Sequence, residues 1–178
     1  MSLNFLHLQR WAAAVALLML AQQAVADIVF RNFEDPDAPQ WEEEAVAIPG
    51  IPQDANLREF YVSATTANRF FVDAESLSIG KDGVVRYVLV VKTGSGATNV
   101  SFEGIRCDTY ELKIYASGRP DGNWSLARGS KWRPISNRQM NRHHLALAKE
   151  LFCPFGSPIR SPAEGLEALR LGRHPSVP

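Results

Sequence analysis

Val84-Val-Arg-Tyr-Val-Leu-Val-Val-Lys92 is the stretch on which the fold turns. Val85, Tyr87, Leu89 and Val91 fall on one face, and Val84, Arg86, Val88, Val90 and Lys92 on the other. That is period-2 patterning with a polar border on one side only, the mark of a strand. Before it, Gly80-Lys81-Asp82-Gly83 carries the Asp-Gly of a hairpin turn, and Gly94-Ser95-Gly96 follows it as a flexible turn.

Working outward, Phe60 to Ala64 and Arg69 to Asp73 read as strands upstream, with Ser76 to Ile79 leading into the hairpin. Downstream, Asn99 to Cys107 puts Val100 and Phe102 on one face and Ser101 and Glu103 on the other. Gly104 is expected to mark a bulge, because glycine weakens a strand and permits a kink. Thr109 to Ala116 alternates again, Asp121-Gly122 is a turn, and Trp132 to Pro134 reads as a last short strand. Connections this short imply an antiparallel meander. Ser136 or Asn137 then caps a predicted helix to about Phe152, with Met140, His144, Leu147 and Leu151 as its apolar stripe and Pro154 as its stop. The expected fold class is α+β: an antiparallel sheet of five or six strands with one C-terminal helix, Asn137–Phe152, packed on one face.

The ends divide the chain further. Arg10, the apolar run Trp11 to Ala21 and the small residues Ala24-Val25-Ala26 form an export-signal pattern, with cleavage expected between Ala26 and Asp27. The run is shorter than the roughly 20 residues of a membrane-spanning helix, so no transmembrane anchor is expected after processing. The alternative is a buried N-terminal core helix. No cysteine follows the run, which argues against lipid attachment. The expected parts are a leader at 1–26, an acidic proline-rich arm at 27–56, a single α+β domain at 57–155 and a flexible tail at 156–178. Within the tail, Ser161, Pro162 and Glu164 form the start signal of a short helix. Nothing beyond Leu171 is expected to be ordered.

Nineteen basic and nineteen acidic residues balance, which argues against a dedicated nucleic-acid binder. Their placement is uneven. Asp27 to Gly50 holds seven acids and one base, whereas Arg119 to Pro178 holds ten bases and four acids. The acidic arm lying across the basic C-terminal part is one reading, and two independently solvated ends is the other.

Cys107 and Cys153 are the only cysteines. In an exported chain an even count favours pairing, and the bridge would join sheet to helix. The competing reading is a reactive thiol, with Cys153 near His143 or His144. His143 and His144, as helix neighbours about 100° apart, cannot share a metal ion as an i, i+4 pair would, so His144 is expected half-buried and His143 at the surface. Arg128, Lys131, Arg133, Arg138 and Arg142, interleaved with Trp132, form a candidate anion-binding patch for phosphate or glycan groups; the plainer reading is a solvated face. Asp73, Glu75, Asp82, Glu103 and Glu111 are the candidates for general acid–base work, each expected in a turn or on a polar strand face. Asn99-Val100-Ser101 and Asn123-Trp124-Ser125 match the glycosylation pattern but carry little weight.

Asn68-Arg-Phe-Phe-Val-Asp73, Ser76-Leu77-Ser78, the run from Gly80 through Lys92, Asn99 through Cys107 and Phe152-Cys153-Pro154, in that order, resemble the CNP-one-like family of uncharacterised exported domains of Gram-negative bacteria. The resemblance runs from about Trp41 to Ile159. A looser similarity is to the surface-adhesin protein E domain, in the order of Phe71 to Leu77, Val84 to Lys92 and Glu103 to Cys107. Members of that kind are often lipid-anchored, and this chain lacks the cysteine for it. Neither resemblance implies catalytic residues.

The functional expectation is an exported, non-catalytic binding module of the periplasm or cell envelope, with no cofactor and no metal. Its expected partner is an envelope protein or an anionic lipid or glycan. The alternatives are an envelope hydrolase using a carboxylate or Cys–His pair, and a structural subunit of an envelope assembly.

Overall fold

The computed structural model describes residues 40–136 and 142–177. The leader with its Ala26–Asp27 junction, the arm up to residue 39, Met140 and Arg138 lie outside the described residues.

Among the described residues eight strands form one antiparallel sheet: β1 (Leu57–Phe60), β2 (Arg69–Asp73), β3 (Ser78–Ile79), β4 (Val84–Lys92), β5 (Thr98–Arg106), β6 (Glu111–Gly118), β7 (Trp124–Leu126) and β8 (Arg133–Pro134). The order across it is β1-β2-β4-β5-β6-β7, with β3 beside β4 and β8 beside β6. β4 is the axis, in register with β5 from Val84↔Arg106 to Lys92↔Thr98. The α+β meander expected from the alternation is what forms.

Two details differ. The first strand ends at Phe60, opposite Phe70, instead of running to Ala64. Ser63 Oγ accepts from the Thr65 amide and Thr66 Oγ1 from the Asn68 amide, so hydroxyls take donors that a ladder would have used. The register shift between β5 and β6 falls at Phe102/Glu103, ahead of Gly104. Gly104 serves closeness instead, since a Cβ there would sit 2.8 Å from Tyr115 Oη and 2.9 Å from Val84 Cγ1.

The alternation is legible in both layers. Val85, Tyr87 and Leu89 join Phe70, Val72 and Ile105 beneath the C-terminal helical segments, through Leu147, Leu151, Phe152 and Ile159. The described part of the expected helix is α1 (Arg142–Ala146), which continues into a wider π-helical turn, Leu147–Phe152. There the Cys153 amide donates to the Ala148 carbonyl, five residues back, at 3.0 Å. The helix start expected at Ser136 or Asn137 adjoins residues outside the described set. Cys107 and Cys153 are bridged, with Cα atoms 5.2 Å apart and both residues buried, so β5 is tied to the end of the helix.

The tail is packed. α2 (Pro162–Leu171) begins with Ser161 Oγ accepting from the Glu164 amide at 3.3 Å, as the cap signal implies. Ile159, Ala168 and Leu169 are buried, and so is His174, three residues past the expected limit of order. The His174 amide donates to the Glu150 carbonyl at 2.6 Å, and its ring meets Glu164 Oε1 at 3.1 Å.

The second sheet face, with Phe71, Val88, Val90, Phe102 and Ala116, is also covered, by Val46 and Ile48 of the segment from Glu43 to Pro49. Its acids meet the sheet, not the basic C-terminal helices. Glu43 pairs with Lys113 at 2.6 Å, and Glu44 Oε2 accepts from the Lys81 amide at 2.9 Å. This corrects the one-sided polar border read from β4, because Arg86 is buried there and ion-paired with Asp82.

Candidate functional site

Register puts the decisive groups together. On the helix-covered face, Tyr87 stands opposite Glu103, Leu89 opposite Ser101, and Val91 opposite Asn99. Glu103, expected on a polar strand face, is 2% exposed. Its Oε1 accepts from Ser101 Oγ at 2.6 Å. Its Oε2 accepts from Tyr87 Oη at 3.1 Å and meets His144 Nε2 at 2.9 Å. A carboxylate taking three donors is held ionised. Burial alone pushes Glu103 up, but the neighbouring His144, the Ser101 hydroxyl and the more distant His143 bring it below the usual carboxylate range. The same burial, with Glu103 beside it, drives the Tyr87 phenol well above its ordinary value.

The other candidates resolve differently. Asp73 is buried, with Oδ2 accepting from the Ser76 amide as a turn cap. Asp82 belongs to the Arg86 pair, and Glu111 meets Arg106 at 3.3 Å. His144 is buried, as its stripe position suggests. His143 departs from a plain surface residue. Its ring stacks on Phe70, with centroids 5.0 Å apart, and lies 4.0 Å from the ring of His144. Burial and the adjoining His144 depress it to about 4. Both cysteines are spent in the bridge, so the Cys–His hydrolase alternative has no thiolate. Among the described residues no group of three or more His, Cys, Asp or Glu could hold a metal ion, and no helix is long and apolar enough to cross a membrane.

His143 leads to a cleft of about 580 Å³ at the end of the sheet. The 63–68 loop supplies Ser63, Thr66 and Asn68, β5 supplies Asn99, and the helix supplies Arg142 and His143 over a floor of Val62, Phe70 and Val91. The loop hydroxyls are partly used internally, as between Ser63 Oγ and Thr65 Oγ1 at 2.9 Å. Arg142 and Asn99 are exposed.

Of the five basic residues, Arg138 lies outside the described set and the other four are exposed. Arg142 borders this cleft, whereas Arg133 lines another beside β6 and β8 with Ser136 and His144. Arg128 and Lys131 lie exposed in the turn between β7 and β8. The cleft itself escaped the sequence reading, because it is assembled from hydroxyl-rich loop residues with no motif. The i, i+2 spacing of Ser101 and Glu103 is the available signal for the buried network, and within the strand alone it describes a polar face.

No solved structure matches this chain significantly. Cryptic neisserial protein 1 of Neisseria gonorrhoeae is 25% identical over 142 residues, covering 70% of each chain. Residues 36–170 match the model of the CNP1-like family, and the chain belongs to that family.

Proposed function

We propose that this protein is an exported, non-catalytic binding module of the cell envelope, and that the cleft at the sheet end seats an anionic glycan group. The carrying observation is the cleft of about 580 Å³, lined by Arg142, Asn99, Asn68 and the loop hydroxyls over an apolar floor. Its size lies within the range of small-ligand sites, and a few convergent polar groups over apolar surface suit a sugar ring bearing one negative charge. The buried bridge between Cys107 and Cys153 supports a life in an oxidising compartment. A non-catalytic role is supported by Glu103, whose two oxygens are engaged by Ser101, Tyr87 and His144.

Titration calorimetry with uronic-acid oligosaccharides and their neutral counterparts tests the reading. Saturable binding of the charged sugars is expected, weakened at least tenfold by Arg142→Glu and by Asn99→Ala. Binding indifferent to both substitutions, or turnover of the sugar, overturns it. Periplasmic recovery of a chain starting at Asp27 tests the export.

A further inference from the structure

Outside the cleft, a second polar cluster lies on the opposite sheet face, where the segment Glu43 to Pro49 crosses without joining a strand. Glu43 Oε2 meets Lys113 Nζ at 2.6 Å and accepts from Trp132 Nε1 at 3.3 Å. Lys113 in turn sits over the rings of Tyr115 and Trp132, at 5.3 and 5.8 Å. One residue on, Glu44 takes the Lys81 amide through its carboxylate, and its own amide donates to Asp82 Oδ2 at 2.9 Å. Val46 and Ile48 then enter the apolar cluster, and Trp124 Nε1 donates to the Pro49 carbonyl at 2.9 Å. The face is a groove that reads an extended peptide: an acid, a second acid, two apolar side chains and a carbonyl, in that order.

The seating is shallow. No residue of the strap is fully buried, Glu44, Ala45 and Ala47 are exposed, and side-chain contacts hold it without a strand ladder. Its link to β1, Gly50-Ile51-Pro52-Gln53, is largely exposed, and nothing lies within 4 Å of where a Gly50 Cβ would be.

We propose that this groove also takes the Glu43–Pro49 strap of a second copy, giving an arm-exchanged dimer in which each sheet is covered by its partner's strap. The occupant is a second copy because that chain supplies the complementary charge and the apolar pair in the one order the groove accepts. Exchange of an identical element keeps every contact and needs rearrangement only in the hinge. The proposal is independent of the cleft.

Full-length protein grown in two nitrogen isotopes, mixed at high concentration and treated with a zero-length carbodiimide cross-linker, provides the test. Glu43 and Lys113 are close enough to be joined directly. Peptides pairing Glu43 of one isotope with Lys113 of the other are expected at up to half of the joined product. Joined peptides of matched isotope alone overturn the proposal, whether or not an added acidic peptide binds. A second arm uses Glu43→Lys and Lys113→Glu. Each variant alone has mismatched charges within its own chain, whereas an exchanged pair matches both. Mixing them is expected to produce a one-to-one heterodimer by light scattering, and persistence of two monomers overturns the proposal.

Discussion

His144 Nε2 lies 2.9 Å from Glu103 Oε2 in a layer where little of either side chain reaches solvent. The pair joins α1 to β5, and the donors from Ser101 and Tyr87 complete the shell of the carboxylate. Removing one member of such a set is costly because the others remain buried without partners. Glu103→Leu is therefore expected to lose about 3–5 kcal/mol of stability, and Glu103→Gln, which keeps shape and some acceptors, about 1–3 kcal/mol. Adding His144→Leu to Glu103→Leu is expected to recover part of the loss. Urea denaturation of the four members of that cycle measures this; a Glu103→Leu chain as stable as the parent would show that the network contributes nothing.

The same cluster sets the response to acid. His143, stacked between Phe70 and His144 and backed by Glu103, is held to about 4. An unfolded histidine takes its proton near 6.5, so between those values the unfolded chain binds more protons and stability falls as pH falls. Glu103 acts in the same direction at lower pH. Its folded value lies below the ordinary carboxylate range, so its contribution is present at neutrality and is lost as pH drops through that value. Unfolding free energies at pH 7.5, 5.5 and 4.5 are expected to decline, with about 1–3 kcal/mol traceable to His143. His143→Phe keeps the stacking and is expected to flatten the upper part of the decline. An unchanged profile in that variant would assign the loss elsewhere.

The Cys107–Cys153 bridge closes a separation of 46 residues between sheet and helix. Replacing both half-cystines by alanine is expected to cost about 2–4 kcal/mol, chiefly by enlarging the unfolded ensemble. Since neither residue is accessible, thiol reagents should label the protein slowly after native treatment with dithiothreitol and fast after the same treatment in denaturant. Equal labelling under both conditions would mean that the segment around Cys153 opens readily.

The strands of this sheet were legible because alternation is a local signal. Arg69–Asp73 and Val84–Lys92 can be read residue for residue, and the Ser161 cap marks α2 as clearly. What covers each face is not local. Glu103 and Arg86 look like solvent-facing residues within their own strands, and both become buried only when a distant segment arrives: His144 on one side, Glu43 and Glu44 on the other. Charge counting points the acidic arm toward the basic stretch from Arg119 to Pro178, whereas the described acids Glu43 and Glu44 meet Lys113, a single cation inside a strand, and the Lys81 amide.

Among the described residues, two other than glycine adopt left-handed backbone, Tyr110 at φ 51° and Phe155 at φ 54°, each close to a half-cystine in sequence. Such a conformation costs a side chain with a Cβ roughly 1–2 kcal/mol, which must be offset by what that side chain touches. Tyr110 has an offset: it packs against the main core, with the Lys149 ammonium 5.9 Å from its ring centre. Phe155 is 80% exposed and has little. Phe155→Gly is therefore expected to leave the protein unchanged or more stable by up to about 1 kcal/mol, whereas Tyr110→Gly should lose about 1–3 kcal/mol through lost burial despite the same backbone relief. Thermal unfolding of the two variants decides it. A destabilised Phe155→Gly would mean that the exposed ring has a packing partner in solution, and the two left-handed residues would then share one explanation.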